Sequence, residues 1–148
     1  HRLGTKELES AALTVEEVGE AAAVPAFDDI RGRVPEMYIS LKPGIDADSG
    51  VEDKVKKAIA TIIGPIARPH EVWVASDLPK TRSGKIMRRV IASISNFVDV
   101  GDTTTLANPE VVEEIRKHVQ ASKLAAGNVP EGLSDSEKRE ILSFGDEG

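Results

Sequence analysis

The residues of this sequence best suited to chemistry lie in one basic segment, residues 77–89, with the sequence Asp-Leu-Pro-Lys-Thr-Arg-Ser-Gly-Lys-Ile-Met-Arg-Arg. Five of its thirteen residues are basic, although the chain has a net charge of −6. Lys85 follows Gly84, where we expect the loop to give way to a helix. A lysine ammonium is a compact charge on a flexible stem, so Lys85 could reach an anionic ligand carried by another surface. The alternative, more common for surface lysines, is a solvated charge on a turn.

The Gly84-Lys85 pair does not match a nucleotide-binding P-loop. That signature requires an earlier glycine, here at position 79, and a Ser or Thr after the lysine. Position 79 is Pro and position 86 is Ile. We predict no metal site, because the three histidines are far apart in sequence and the chain contains no Cys.

The composition argues against several other classes of function. A net acidic chain is poorly suited to neutralising nucleic-acid phosphates. No apolar run approaches the roughly 18 residues of a membrane-spanning helix. The start, His1-Arg2-Leu3-Gly4, lacks an initiator Met and an apolar signal region, so we interpret it as the edge of a longer chain. The absence of Cys fits a cytoplasmic protein, which we expect.

The elements that must position Lys85 are predicted from apolar periodicity and turn signals. Helical spacing predicts a helix directly behind the basic segment, with one apolar stripe: Ile86, Val90, Ile91, Ile94 and Phe97. Further helices are predicted at residues 5–13, 51–63 and from 109, with Thr5, Ser49 and Asn108 as caps, and strands at 18–24, 34–41 and 70–75.

This order of elements predicts an α+β fold with a small, three-stranded, mainly antiparallel sheet flanked by helices. We expect residues 1–122 to form one domain. Residues 123–148 are expected to form a weakly ordered tail that is flexible or contains a short C-terminal helix starting at Ser134 and Glu137.

Residues 78–89 resemble the C-terminal lysine motif of the AMP-forming acetyl-CoA synthetase family, which belongs to the adenylate-forming superfamily. Two other stretches agree. Residues 1–10 (His-Arg-Leu-Gly-Thr, then Glu7, Glu9 and Ser10) resemble the end of the hinge-side motif of that family. Residues 100–109 (Val-Gly-Asp-Thr-Thr-Thr-Leu-Ala-Asn-Pro) resemble its C-terminal Gly-Asp-x-Ser/Thr-Thr-Leu-Ala-x-Pro stretch. The resemblance spans about residues 1 to 120.

The resemblance implies the mobile C-terminal domain of an acetate–CoA ligase. Such enzymes join acetate to ATP, with Mg²⁺, to give acetyl-adenylate and pyrophosphate; the small domain then rotates, and CoA attacks to give acetyl-CoA and AMP. Lys85 would be the catalytic lysine of the first half-reaction, and Gly84 and Arg2 would contact substrate or CoA. ATP and CoA are substrates of the full-length enzyme, so we expect neither bound to this chain alone, which should be inactive.

The resemblance also implies partners and a modification. The main partner would be the large N-terminal domain of the same enzyme, and no nucleic acid or membrane is expected. A protein acetyltransferase would neutralise Lys85 by acetylation, and a sirtuin-type deacylase would restore it. Two alternatives stay open: a regulatory or binding module recognised by those two enzymes, and the same domain of a propionyl- or other short-chain acyl-CoA synthetase.

Overall fold

The computed structural model of the chain describes residues 4–28, 32–46, 50–67, 69 and 71–146. In these ranges it contains five α-helices, three β-strands and a short 3-10 helix at Pro65–Ala67. The helices and strands are, in chain order, α1 (Thr5–Ala12), β1 (Val18–Asp28), β2 (Gly32–Leu41), α2 (Val51–Ile62), β3 (Glu71–Ala75), α3 (Arg88–Ser95), α4 (Glu110–Ala125) and α5 (Asp135–Asp146). None of the described helices has both the length and the apolar character that crossing a membrane requires.

The strands form one sheet in the order β1-β2-β3. Only three residues separate β1 from β2, which suits an antiparallel hairpin, whereas β2 and β3 are parallel, with Tyr38 opposite Trp73. A parallel pair needs a long crossover, and α2 provides it. The predicted α+β class with a three-stranded sheet and flanking helices is confirmed; the sheet is mixed, where the sequence suggested mainly antiparallel pairing.

Both strands of the hairpin continue through a proline. We expected Pro25 to end β1, but β1 extends to Asp28. β1 is an edge strand of the described sheet, so the missing N–H of proline can face away from the ladder. Pro35 lies in β2 directly before Glu36, the first residue of this strand with a described partner in β3.

The first two helices form where predicted, and the N-cap residue of each is a glycine. The N-cap residue of α1 is Gly4, and it makes no side-chain capping bond, so Thr5 is the first helical residue rather than the cap. The N-cap residue of α2 is Gly50, with φ 78°. Ser49, which we predicted to cap α2, lies outside the described residues. The predicted apolar face of α1 is buried. That of α2 is buried at Val51, Val55 and Ile59, but the expected burial of Ile62 is wrong, since this side chain is 55% exposed at the helix end.

The chain forms two compact units, which are described separately. The first contains residues 1–25 and 35–78. Its main apolar core consists of Leu8, Ala11, Ala12, Val15, Val18, Ala21, Ala23, Met37, Ile39, Val51, Val55, Ile59, Ala67 and Val72. Trp73 is also buried, and its Nε1 donates to Glu36 Oε1 at 3.1 Å, as expected of a packing residue.

The second unit contains residues 26–34 and 79–148, and therefore the basic segment from residue 79 onwards. The buried apolar residues of α3, of α4 and of the segment between them are Val90, Ile91, Ile94, Leu106, Val111, Val112, Ile115 and Val119. Helix α4 packs against both α3 and α5. It continues through residue 122, the predicted end of the domain, to Ala125.

Two side chains of α4 bind the last carbonyls of α3. Gln120 Nε2 donates to the Ile94 carbonyl at 3.1 Å, and Lys123 Nζ donates to the Ser95 carbonyl at 2.8 Å. Both side chains belong to buried residues. Carbonyls at a helix C-terminus lack intrahelical partners and attract cations, so these bonds stabilise the end of α3. The helix that follows the basic segment is thereby held against α4.

Ser134 and Glu137 form a reciprocal cap at the start of α5. The Glu137 N–H donates to Ser134 Oγ at 3.1 Å, and the Ser134 N–H donates to Glu137 Oε1 at 3.2 Å. This is the capping-box arrangement that the sequence predicted. The helix extends to Asp146, so it is longer than the short helix we expected.

Replacing Ser134 with alanine is expected to destabilise α5 by about 0.5–2 kcal/mol, because the Glu137 N–H loses its acceptor. The measurement is amide hydrogen exchange of the peptides that cover residues 135–146. Ser136→Ala is the matched control, since Ser136 is exposed near the same helix start and makes no capping bond. Equal protection of α5 in the two variants would contradict the capping role of Ser134.

Candidate functional site

The basic segment forms a narrow hairpin, residues 79–87, which we call the lysine turn. Lys80 pairs with Ile86 through an antiparallel bridge. At the open end of the hairpin, the Met87 N–H donates to the Pro79 carbonyl at 2.8 Å. The two arms of the lysine turn are therefore joined by backbone hydrogen bonds, so the turn has a defined backbone conformation.

The tip of the lysine turn is a three-residue loop, residues 82–84. The Thr81 N–H donates to the Lys85 carbonyl at 2.8 Å, and the Gly84 N–H donates to the Thr81 carbonyl at 2.9 Å. Gly84 has φ +92°, which side-chain-bearing residues rarely adopt. A turn closed by a residue of positive φ is a standard three-residue hairpin loop. The conformational requirement at position 84 explains the glycine.

The backbone of Lys85 is held on both sides while its side chain projects into solvent. Its N–H donates to Thr81 Oγ1 at 3.1 Å, and its carbonyl accepts the Thr81 N–H. Residue 85 is exposed. Within the described part of the chain, no carboxylate forms an ion pair with the Lys85 ammonium. The turn thus presents an uncompensated cation from a constrained backbone.

The structure corrects the expected junction between Lys85 and the following helix. We expected the helix to begin directly after Gly84, with Ile86 on its apolar stripe, but α3 begins at Arg88. Ile86 cannot be helical because it is paired with the other arm of the lysine turn. Phe97 also lies outside α3, with φ 57°. The central stripe of α3 is buried as predicted.

Replacing Gly84 with alanine is expected to destabilise the folded chain by about 1–2 kcal/mol, since a Cβ is disfavoured in the left-handed region. The free energy of unfolding in urea measures this effect. Gly132→Ala is the matched control, because Gly132 is also in an open position but has no positive φ. If both variants were as stable as the parent, the positive φ of Gly84 would not be required.

A polar segment, residues 99–108, lies beside the lysine turn, and we call it the threonine segment. Asp102 Oδ1 accepts hydrogen bonds from the Thr104 N–H at 2.9 Å and the Thr104 hydroxyl at 2.7 Å. These two bonds, the backbone one foremost, hold the pKa of Asp102 below its ordinary value. The Gly101 N–H donates to Asp99 Oδ1 at 2.7 Å. Local bonds of this kind define the bends of the segment.

The end of the threonine segment binds the first arm of the lysine turn. Asn108 Oδ1 accepts the Lys80 N–H at 2.9 Å, and the Ala107 N–H donates to the Lys80 carbonyl at 2.9 Å. Thr81 and Leu106 form a second antiparallel bridge. Our prediction that Asn108 caps α4 is wrong, because the N-cap residue is Pro109. The Asn108 side chain accepts a hydrogen bond from the Lys80 N–H.

The other cations near the turn differ in their contacts. Arg82 is exposed at the tip of the lysine turn and Arg88 is exposed at the start of α3. Arg89 Nη1 donates to the Val100 carbonyl at 3.2 Å, which connects α3 to the threonine segment. Arg82 is therefore a neighbouring exposed charge against which the role of Lys85 can be compared.

The remaining predicted site residue is Arg2, whereas His70 and His118 are two histidines that we did not predict to bind metal. Arg2, the predicted CoA contact, lies outside the described residues, as does His70. His118 is exposed on α4. Among the described residues, no group of three or more His, Asp or Glu side chains could hold a metal ion. Lys85 and Gly84 both lie in the lysine turn.

Sequence reasoning missed the parts played by Thr81 and Asn108. Thr81 closes the tip through its backbone and its hydroxyl, and Asn108 binds the backbone of Lys80. The only signal for Asn108 was its place in the Thr-rich stretch, and that position equally suited a helix cap. The pairing of residues 80–81 with residues 106–108 is a long-range contact that local spacing does not indicate.

The chain is similar in sequence to one protein family and to a group of enzymes. Residues 7–85 match the family described as AMP-binding enzyme C-terminal domain. The chain is 41% identical over 123 residues to the acetyl-coenzyme A synthetase of Gemmatimonas aurantiaca, covering 83% of the chain and 19% of that relative. It is 43% identical over 122 residues to the enzyme of the same name from Phycomyces blakesleeanus, covering 81% and 18%. The chain thus spans about a fifth of the length of these curated relatives.

Solved structures show the same fold. An acyl-CoA synthetase from Brucella canis is 28% identical with a TM-score of 0.59, over 64% of this chain and 18% of that one. The acetoacetyl-CoA synthetase from Streptomyces lividans is 18% identical with a TM-score of 0.64, over 82% of this chain and 18% of that one. At this identity the second match bears on the fold alone.

Proposed function

This chain belongs to the family of AMP-binding enzyme C-terminal domains, and from that premise we propose that it is the C-terminal domain of an AMP-forming acetyl-CoA synthetase. The full-length protein would convert acetate, ATP and CoA to acetyl-CoA, AMP and pyrophosphate. Support comes from identity above 40% to acetyl-coenzyme A synthetases of bacterial and fungal origin. The large N-terminal domain of the same protein is the partner that this function requires.

The observation that carries this proposal is Lys85, an exposed cation on a constrained turn. In the first half-reaction, a carboxylate oxygen of acetate attacks the α-phosphorus of ATP. The bond from that phosphorus to the oxygen bridging to the β-phosphate breaks, and pyrophosphate leaves with the electron pair. Along this path the anionic carboxylate and the anionic α-phosphate oxygens are brought together while charge moves towards the leaving pyrophosphate. A preorganised ammonium that approaches these oxygens stabilises the transition state more than the separated reactants.

The geometry of the turn suits a reach into a site built elsewhere. A lysine stem allows the ammonium to extend several ångströms, while the bonds of Thr81 restrict movement of the backbone that carries it. Preorganisation of this kind reduces the entropy lost when the cation meets its anion. Within the described residues, no carboxylate forms an ion pair with the Lys85 ammonium.

In the second half-reaction, the CoA thiol loses its proton to solvent, its sulfur attacks the acyl carbon, and the bond from that carbon to the phosphate oxygen breaks, so that AMP leaves with the electron pair. We propose that the small domain rotates between the two steps and that Lys85 is then withdrawn. Arg2 would contact CoA in the rotated arrangement, and Gly84 would allow the turn to approach substrate closely because it has no side chain. ATP is proposed to enter as its Mg²⁺ complex, with the metal held by substrate phosphates and the large domain. A cytoplasmic location remains our prediction.

We also propose that acetylation of Lys85 regulates this activity. A protein acetyltransferase would convert the ammonium to a neutral amide, which removes the charge used in adenylation, and a sirtuin-type deacylase would restore it. The exposure of residue 85, directly after the tip of the lysine turn, supports access by such enzymes. This modification complements the ligase function rather than replacing it.

The test of the proposed function is ATP–pyrophosphate exchange by the full-length protein with a panel of carboxylates. We expect acetate to support exchange most efficiently, propionate less and longer chains least. Exchange that is faster with propionate than with acetate would assign the chain to a different short-chain acyl-CoA synthetase. No carboxylate-dependent exchange at all would overturn the ligase proposal.

A further inference from the structure

The threonine segment has no part in the function described above, yet its last residues are bonded to the arm of the lysine turn. Both backbone groups of Lys80 are taken by this segment: the N–H by Asn108 Oδ1 and the carbonyl by the Ala107 N–H, each at 2.9 Å. The first of these is a side-chain bond, so it depends on the identity of residue 108. We propose that Asn108 is a positioning residue for adenylation, which sets the place of Lys85 through Lys80.

The path from Asn108 to Lys85 runs through its hydrogen bond to the Lys80 N–H, the chain from Lys80 to Thr81, and the hydrogen bond between Thr81 and Lys85. Lys80 pairs with Ile86 across the hairpin, and the next pair outwards joins the Thr81 N–H to the Lys85 carbonyl at 2.8 Å. A movement of the Lys80 backbone therefore moves the strand that carries Lys85. Backbone hydrogen bonds of this length tolerate little displacement before they weaken.

The other end of the path is anchored in the core of the second unit. Leu106, which pairs with Thr81, is 4% exposed. Asn108 precedes Pro109, the N-cap residue of α4, whose Val111 and Val112 are buried. The Asn108 side chain bonds the backbone of Lys80, in the lysine turn. Its bond thus ties a solvent-exposed turn to a packed helix, and removing it should loosen the turn more than the helix.

The inference rests on the proposed function, because it assigns Asn108 to the same half-reaction as Lys85. Displacements of about 1 Å can cost roughly a hundredfold in rate when a reacting group must be aligned. The turn retains its backbone bonds without Asn108, so a smaller loss is expected. Adenylation is sensitive to the place of the ammonium, whereas attack of CoA on acetyl-adenylate does not use Lys85 and should be unaffected.

The experiment compares three variants in the full-length protein: Asn108→Ala, Asn108→Asp and Thr105→Ala. We expect Asn108→Ala to lower kcat for ATP–pyrophosphate exchange by about tenfold, with KM for ATP and acetate little changed. Asn108→Asp keeps an oxygen acceptor for the Lys80 N–H and should restore the rate. Thr105 is an exposed neighbour in the same segment, and its replacement should change neither constant. Amide hydrogen exchange of residues 79–87 should rise in the Ala variant and return to the parent level in the Asp variant.

Lys85→Ala measured in parallel separates the two proposals. If Lys85→Ala abolishes exchange while Asn108→Ala exchanges normally, the positioning role is overturned and the proposed function stands. If Lys85→Ala itself exchanges normally, the role of Lys85 in the proposed function is overturned. Equal loss in both half-reactions of Asn108→Ala, or failure of Asn108→Asp to recover, would assign Asn108 a general structural role instead.

Discussion

Replacing Lys85 with alanine in the full-length protein is expected to lower the rate of acetate-dependent ATP–pyrophosphate exchange by about 10²–10³-fold. The physical reason is the loss of one preorganised cation at the carboxylate and α-phosphate oxygens that adenylation brings together. Because the side chain is exposed and makes no ion pair within the described residues, its removal should leave the fold unchanged. The measurement is the initial exchange rate at saturating ATP and acetate.

Two further variants test whether the loss of exchange is specific to the charge of Lys85. Arg82→Ala removes another exposed cation from the same turn and should retain exchange within about threefold, since a general surface charge contributes little. Lys85→Gln, which imitates acetyl-lysine, should be as defective as Lys85→Ala. Exchange at the parent rate in Lys85→Gln would contradict both the catalytic assignment and the proposed regulation by acetylation.

Replacing Ile94 with alanine is expected to lower the free energy of unfolding by about 2–5 kcal/mol. Ile94 is fully buried on α3, at 0% exposure, and α3 packs against α4. The truncated side chain leaves a cavity that close-packed neighbours can fill only in part. Its carbonyl is also the acceptor of Gln120 Nε2, so a shift of the backbone would strain that bond. Urea unfolding of this chain, followed by circular dichroism, gives the change.

Ile62→Ala is the chemically identical control for Ile94→Ala. Ile62 is 55% exposed at the end of α2, and surface substitutions of this kind change stability by about 0.5 kcal/mol or less. A similar loss in the two variants would show that burial on α3 does not determine the stability of the second unit. A large loss confined to Ile94→Ala would support α3 as the rigid support of the lysine turn.

Local patterns in the sequence were sufficient to predict most of the elements and to single out Lys85 as a candidate cation, whereas its proposed role in the site came from the family resemblance. Helical spacing located α1 and α2, and a short basic segment containing Gly84 pointed to Lys85. These signals work because a helix repeats its exposed face every 3.6 residues and because few residues other than glycine adopt positive φ. The Ser134–Glu137 cap was predictable for the same reason: both partners lie within one turn.

Features that depend on distant parts of the chain were not predictable in this way. Pro25 was expected to end β1, since the sequence does not indicate that β1 is an edge strand. Asn108 has the residue type and the position of a helix cap, but Lys80, twenty-eight residues earlier, takes its acceptor. Lys123 resembles a surface lysine in sequence, yet it is 3% exposed and donates to the end of α3. In each case a tertiary contact outweighs the local preference.

The two half-reactions of Lys85→Ala, measured on the same preparation of full-length protein, test the role of Lys85 most directly. The rate of pyrophosphate release from ATP and acetate measures adenylation. The rate of acetyl-CoA formation from added acetyl-adenylate measures the second step. We predict that the first falls by about a hundredfold or more while the second stays within about threefold of the parent rate. Equal losses in both steps, or no loss in the first, would contradict the assignment of Lys85 as the adenylation lysine.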